Sequence, residues 1–155
     1  MSKLPIIIAI TAAVLAMGYF VFVTDAAAYG GNAPETCANC HVMDSQYENW
    51  YHGAHENWAK CTDCHLPHGN IAIYYAEKGR QGMKDTYAFV TGNIPVAIRA
   101  SDKTKEIVQG NCIHCHEDTV EVIVMNAQPF DRYCWDCHRD VAHSARGASI
   151  APYQD

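Results

Sequence analysis

Eight cysteines in this chain of 155 residues fall into four Cys-x-x-Cys pairs, and a histidine follows each pair at once. The motifs are Cys37-Ala38-Asn39-Cys40-His41, Cys61-Thr62-Asp63-Cys64-His65, Cys112-Ile113-His114-Cys115-His116 and Cys134-Trp135-Asp136-Cys137-His138. Two thiols at this spacing match the two vinyl groups of a haem, and the adjacent histidine is placed to bind the iron from one face. The pairs are also spaced C-x2-C-x20-C-x2-C and C-x2-C-x18-C-x2-C, close to a structural zinc pattern. Zinc needs no histidine after every second cysteine, and a disulfide framework leaves the histidines unexplained. Four covalently bound haem c groups are therefore expected, with His65, His116 and His138 as proximal ligands.

At the first site a methionine follows the histidine by two residues, in Cys40-His41-Val42-Met43. Thioether is an established axial ligand that raises potential, so either His41 or Met43 can serve that iron. Five histidines lie outside the proximal positions: His52, His55, His68, His114 and His143. His55 and His143 flank attachment sites and are the first candidates for distal ligands, with His68 a weaker third. His114 sits inside an attachment loop and is expected to face solvent, and His52 reads as a surface neighbour of His55.

Roughly thirty residues per haem cannot enclose four macrocycles in a conventional core, so the haems themselves must be the core. The expected fold is mainly α with extensive loops, a small multihaem cytochrome c without a real sheet, plus one N-terminal transmembrane helix. Leu4 to Val23 carries no charge and is long enough to span a bilayer. A cleaved signal peptide is the rival, with Ala26-Ala27-Ala28 as a site. The apolar stretch exceeds a signal h-region of about 7–15 residues, which favours the anchor. Residues 1–25 are thus read as anchor and 26–155 as the tetrahaem domain. Its di-haem halves, about 33–70 and 108–145, are joined by a segment over 69–100. Lys3 before the span and Asp25 after it place the bulk of the chain on the periplasmic face of the inner membrane. With 17 acidic against 11 basic side chains and no basic run, nucleic acid is not an expected partner.

Between the halves, Gly69 to Thr91 reads as an irregular amphipathic helix weakened at Gly79 and Gly82. Lys78, Gln81 and Asp85 share one of its faces over two turns. Ser101-Asp102 reads as the cap of a short helix that ends at Gly110, and Val120 to Met125 as a further helix on haem. Trp50, Trp58 and Trp135 read as haem-packing aromatics.

The order of these features resembles the NapC/NirT family of membrane-anchored multihaem quinol dehydrogenases. Carrying the resemblance are C-x-x-C-H-x-M first, Gly53-Ala54-His55 before the second site, Cys61-Thr62-Asp63-Cys64-His65-Leu66-Pro67-His68, then a long segment and two closing sites. It extends from the anchor to Ala142-His143-Ser144. The first-site methionine points to the branch that serves as small subunit of ammonia-forming cytochrome c nitrite reductase. The resemblance implies Met43, not His41, as axial ligand of the first haem. It implies that Lys78, with Asp85, lines a quinol pocket over that haem, with menaquinol as substrate and membrane lipid around the anchor. It also implies a multihaem reductase partner that donates one haem ligand. Two rival readings stay open: an electron carrier without its own quinol site, and a quinol dehydrogenase serving another periplasmic reductase.

Overall fold

The computed structural model describes residues 3–95, 97–126 and 132–143; the last part of the segment expected to hold the haems, from 144 onward, lies outside them. Eight α-helices follow in chain order, with no strand among the described residues: α1 Leu4–Val23, α2 Pro34–Ala38, α3 Asp44–Tyr51, α4 Cys61–His65, α5 Ile71–Val90, α6 Asp102–Cys115, α7 Glu117–Asn126 and α8 Cys134–Cys137. A 3₁₀ turn over His41–Met43 leads into α3.

Helix α1 starts with proline in its first turn, where the missing N–H costs nothing, and none of its residues is buried. Its 20 residues are long and apolar enough to cross a membrane; at 1.5 Å per residue the helix covers about 30 Å.

The polypeptide alone builds almost no core. Pro34, Trp50 and Leu66 are the only buried apolar side chains among the described residues, and no large side chain is fully enclosed. The chain exposes 12258 Å², against roughly 7,800 Å² for a globular chain of this mass. An unsupported chain of this kind would be marginal, so its apolar residues must pack on something other than each other.

The attachment sites fold by two local devices. In α4 the Asp63 carboxylate accepts the Lys60 backbone N–H at 2.9 Å, and in α8 Asp136 accepts that of Tyr133 at 2.9 Å. Each aspartate, one residue before the second cysteine, caps a single helical turn that carries both thiols. The third site needs no such cap because it lies within α6. That helix begins at the Ser101 cap, whose hydroxyl accepts the Thr104 N–H at 3.3 Å. It runs through Gly110 into Cys112 and Cys115 instead of ending there, because tertiary packing outweighs the roughly 1 kcal/mol cost of a mid-helix glycine. Helix α5 is likewise regular, starting after the Asn70 cap, whose side chain accepts from Ala72 and Ile73.

Helix α6 joins the two halves. Buried Asn111 donates to the Cys64 and Leu66 carbonyls, both at 2.8 Å, and Gln109 accepts the Cys134 N–H at 2.9 Å. The most extensive packing between elements is α4 on α6, so the second and third sites adjoin directly rather than across the 69–100 segment.

Candidate functional site

No disulfide joins any two of the eight cysteines, and the pairs adjoin in sequence order. The Cys37 thiol acts on that of Cys61, Cys64 feels the charge of Cys115, and Cys112 that of Cys134. Each site therefore neighbours the next, first to fourth.

The imidazoles sort themselves by geometry. A metal–imidazole bond of about 2 Å on each face of a macrocycle sets facing ring centroids roughly 6 Å apart. His55 and His116 stand at 6.2 Å, and His65 and His143 at 6.0 Å. His55 carries its Nδ1 2.9 Å from the Val141 carbonyl, and His143 its Nδ1 3.2 Å from that of Gln46. An imidazole donating Nδ1–H to a carbonyl keeps Nε2 unprotonated for a metal, which is the usual outer-sphere arrangement of a ligand histidine. Burial pushes His65 down to about 4, with His143 adding to the shift, so its ring stays neutral. Gly53 makes the approach of His55 possible. The chain turns so tightly after α3 that a Cβ there would lie 3.1 Å from the Asn49 and Trp50 carbonyl oxygens.

His68 and His114 differ from those pairs. Their rings lie 5.3 Å apart, and His68 uses Nε2 on the Asp63 carbonyl at 2.8 Å. His114 is exposed, in line with its place in the attachment motif. His52 caps α3 and pairs with Glu48 at 3.4 Å, so it does not share a helix with His55. His138 has no facing imidazole among the described residues.

At the first site the His41 side chain is 96% exposed and lies 3.4 Å from Asp44, whereas Met43 is half-buried. Trp50 is buried with its Nε1–H on the Ala59 carbonyl at 2.8 Å, Trp135 stacks on Tyr133, and Trp58 is exposed.

Helix α5 brings Lys78, Gln81 and Asp85 to one side. Lys78 donates to the Gly31 carbonyl, covers the Tyr74 ring at 5.9 Å, and its charge acts on the Cys37 thiol. The face of α5 therefore sits against the first site. Gln81 spends its amide N–H groups on the His65 carbonyl at 3.2 Å and on Glu77 at 3.0 Å, leaving only its oxygen for a ligand. Desolvation holds Asp85 above its ordinary value, against the pull of Lys84 and Arg80. A cleft of about 550 Å³ opens between Gly30–Asn32 and Ile71, Tyr74 and Tyr75, but none of Lys78, Gln81 and Asp85 lines it. Glu77, Gln109 and Asn111 are invisible to motif reading; only the i,i+3 spacing of Glu77 and Arg80 signals one of their partnerships.

The donor set fits haem. Four Cys-x-x-Cys pairs, a histidine after each, and imidazoles facing at an axial separation belong to a chain that buries almost no apolar core of its own. Comparison with known proteins agrees. The model of the NapC/NirT cytochrome c family, N-terminal region, matches residues 1–147. The cytochrome c-type protein NrfH of Wolinella succinogenes is 35% identical over 142 residues, covering 83% of this chain and 80% of the relative. The cytochrome c nitrite reductase subunit NrfH of Nitratidesulfovibrio vulgaris is 39% identical over 108 residues, 69% of this chain and 65% of the relative. A crystal structure of the cytochrome c nitrite reductase NrfHA complex bound to the HQNO inhibitor contains a similar chain. It superposes with a TM-score of 0.66 at 30% identity, covering 92% of both chains.

Proposed function

The chain belongs to the NapC/NirT cytochrome c family, and from that membership we propose that it is a membrane-anchored menaquinol dehydrogenase delivering electrons to a cytochrome c nitrite reductase. The observation that carries the reading is the side of α5 on which Lys78 and Asp85 stand, with Lys78 acting on Cys37 of the first attachment site.

The eight cysteines hold four haem c groups, which supply one-electron redox chemistry when bound. Met43 serves the first iron, because His41 points to solvent beside Asp44. His65 with His143 serves the second and His116 with His55 the third. His138 serves the fourth, and that site is where the partner subunit would add a ligand. His68, occupied at Nε2, is left as a neighbour of the second site.

A quinol gives up two protons with its two electrons, and protein groups must take the protons. Asp85 is suited to this because its raised pKa makes its carboxylate a stronger base than an ordinary aspartate. Lys78 can leave the Gly31 carbonyl to donate to the quinol oxygen. Gln81 can accept a hydrogen bond through its oxygen. Helix α1 anchors the chain, with Lys3 on the cytoplasmic side and the haem domain on the periplasmic side.

The test is Asp85→Asn in haem-loaded protein with its reductase, driven by menaquinol or by reduced viologen. Loss of general-base function costs about 10²–10⁴-fold, so menaquinol-driven turnover should fall by that order while viologen-driven turnover is retained. Equal rates with both donors in variant and wild type would make the chain a carrier without a quinol site here.

A further inference from the structure

Glu77 is the only charged side chain buried among the described residues, at 4% exposure, and the reading above gives it no task. A buried charge is costly unless paired and hydrogen-bonded, and this one is paired on every side. Arg80 Nε donates to both carboxylate oxygens at 3.0 Å, Lys103 of α6 reaches one at 2.7 Å, and Gln81 Nε2 donates at 3.0 Å. The same Gln81 nitrogen donates to the His65 carbonyl at 3.2 Å. One carboxylate thereby ties the middle of α5 to the end of α4 and the start of α6. Asp85 is subject to the charges of Arg80 and Lys84, and Glu77 engages the first of these.

We propose that Glu77 is a positioning residue for quinol oxidation: its buried carboxylate fixes Gln81 on the His65 carbonyl and keeps Arg80 on itself rather than on Asp85. Helix α5 then presents Lys78 and Asp85 in constant register to the first two attachment sites. Without the carboxylate, Arg80 is free to pair with Asp85 and weaken it as a base. This rests on the quinol reading of α5, while the tie to His65 is independent of it.

The experiment uses the full haem-loaded chain with its reductase in liposomes, comparing wild type, Glu77→Gln, Glu77→Asp and Lys103→Met. It measures menaquinol kcat and KM against pH, viologen-driven rate, and a redox titration resolved by haem. Glu77→Gln should retain four haems and the viologen-driven rate. Its menaquinol kcat/KM should drop about 10- to 100-fold, the scale of a displaced reaction geometry, and the acidic limb of its pH profile should move to lower pH. Glu77→Asp should recover most of the loss, and the midpoint potential of the His65 haem alone should shift in Glu77→Gln. Wild-type menaquinol kinetics and pH profile in Glu77→Gln would overturn the proposal. If Asp85→Asn is itself silent, the quinol reading has failed, and the redox titration then judges the tie to His65. A shift confined to that haem supports the tie, and none overturns it. Should Glu77→Gln not accumulate, Lys103→Met removes a single partner and should give a smaller loss in the same direction; no loss would count against the proposal.

Discussion

The rings of His55 and His116 face each other at 6.2 Å between centroids and 82° between planes, although one leaves the turn after α3 and the other ends α6. The Val141 carbonyl holds His55 through Nδ1 at 2.9 Å, and the end of α6 fixes His116. That separation fits two imidazoles on opposite faces of one bound metal.

Distal ligation can therefore be read one histidine at a time. His55→Ala and His143→Ala should each convert one haem of four from low-spin to high-spin, seen by electron paramagnetic resonance and visible absorption. His68→Ala should convert none. A pyridine haemochrome assay on the parent should return four haems per chain, with iron and no zinc.

The first site makes an opposite pair of expectations for two residues only two positions apart. Met43→Ala should alter the spectrum of one haem, while His41→Ala should leave axial ligation nearly intact, because the His41 side chain is 96% exposed. The reverse result would return His41 to the iron.

Glu77 should leave a signature in acid. Its hydrogen bonds, that from Arg80 first, hold its carboxyl down at about 2 from an ordinary 4.5. A depressed carboxylate stabilises the fold fully above its unfolded value, and that contribution is lost as pH falls from about 4.5 through about 2. Helicity followed by circular dichroism should fall across this window in wild type. In Glu77→Gln the pH dependence in the window should be weaker, from a lower starting stability.

Asn111 tests the joint between the halves. Asn111→Leu removes the donor from two backbone carbonyls, those of Cys64 and Leu66. Leaving a buried acceptor unsatisfied costs about 1–3 kcal/mol, so the denaturant midpoint should fall accordingly while haem content is kept.

The anchor has a simple readout. A span of some twenty apolar residues holds without help from charge, so the protein should stay with membranes through a high-salt wash and leave them only in detergent.

The chemistry of this protein was written in its sequence because covalent attachment is a local matter. Two thiols and a histidine must lie within one helical turn, so Cys61, Cys64 and His65 are adjacent in the chain as well as in space. The α1 span and the shared face of Lys78, Gln81 and Asp85 were legible for the same reason, since helical period and apolar length are local too. The irregular helix expected over Gly69–Thr91 and the stop expected at Gly110 were misread, because glycine propensities of about 1 kcal/mol yield to packing. Which imidazole faces which was decided only by tertiary structure, as His65 meets His143 and His55 meets His116 across loops of no fixed length. The buried hub was decided there as well: Glu77 is one acidic residue among 17 until Lys103 of another helix closes on it. Axial pairing and charge burial depend on contacts between distant segments, and sequence spacing carries no information about those.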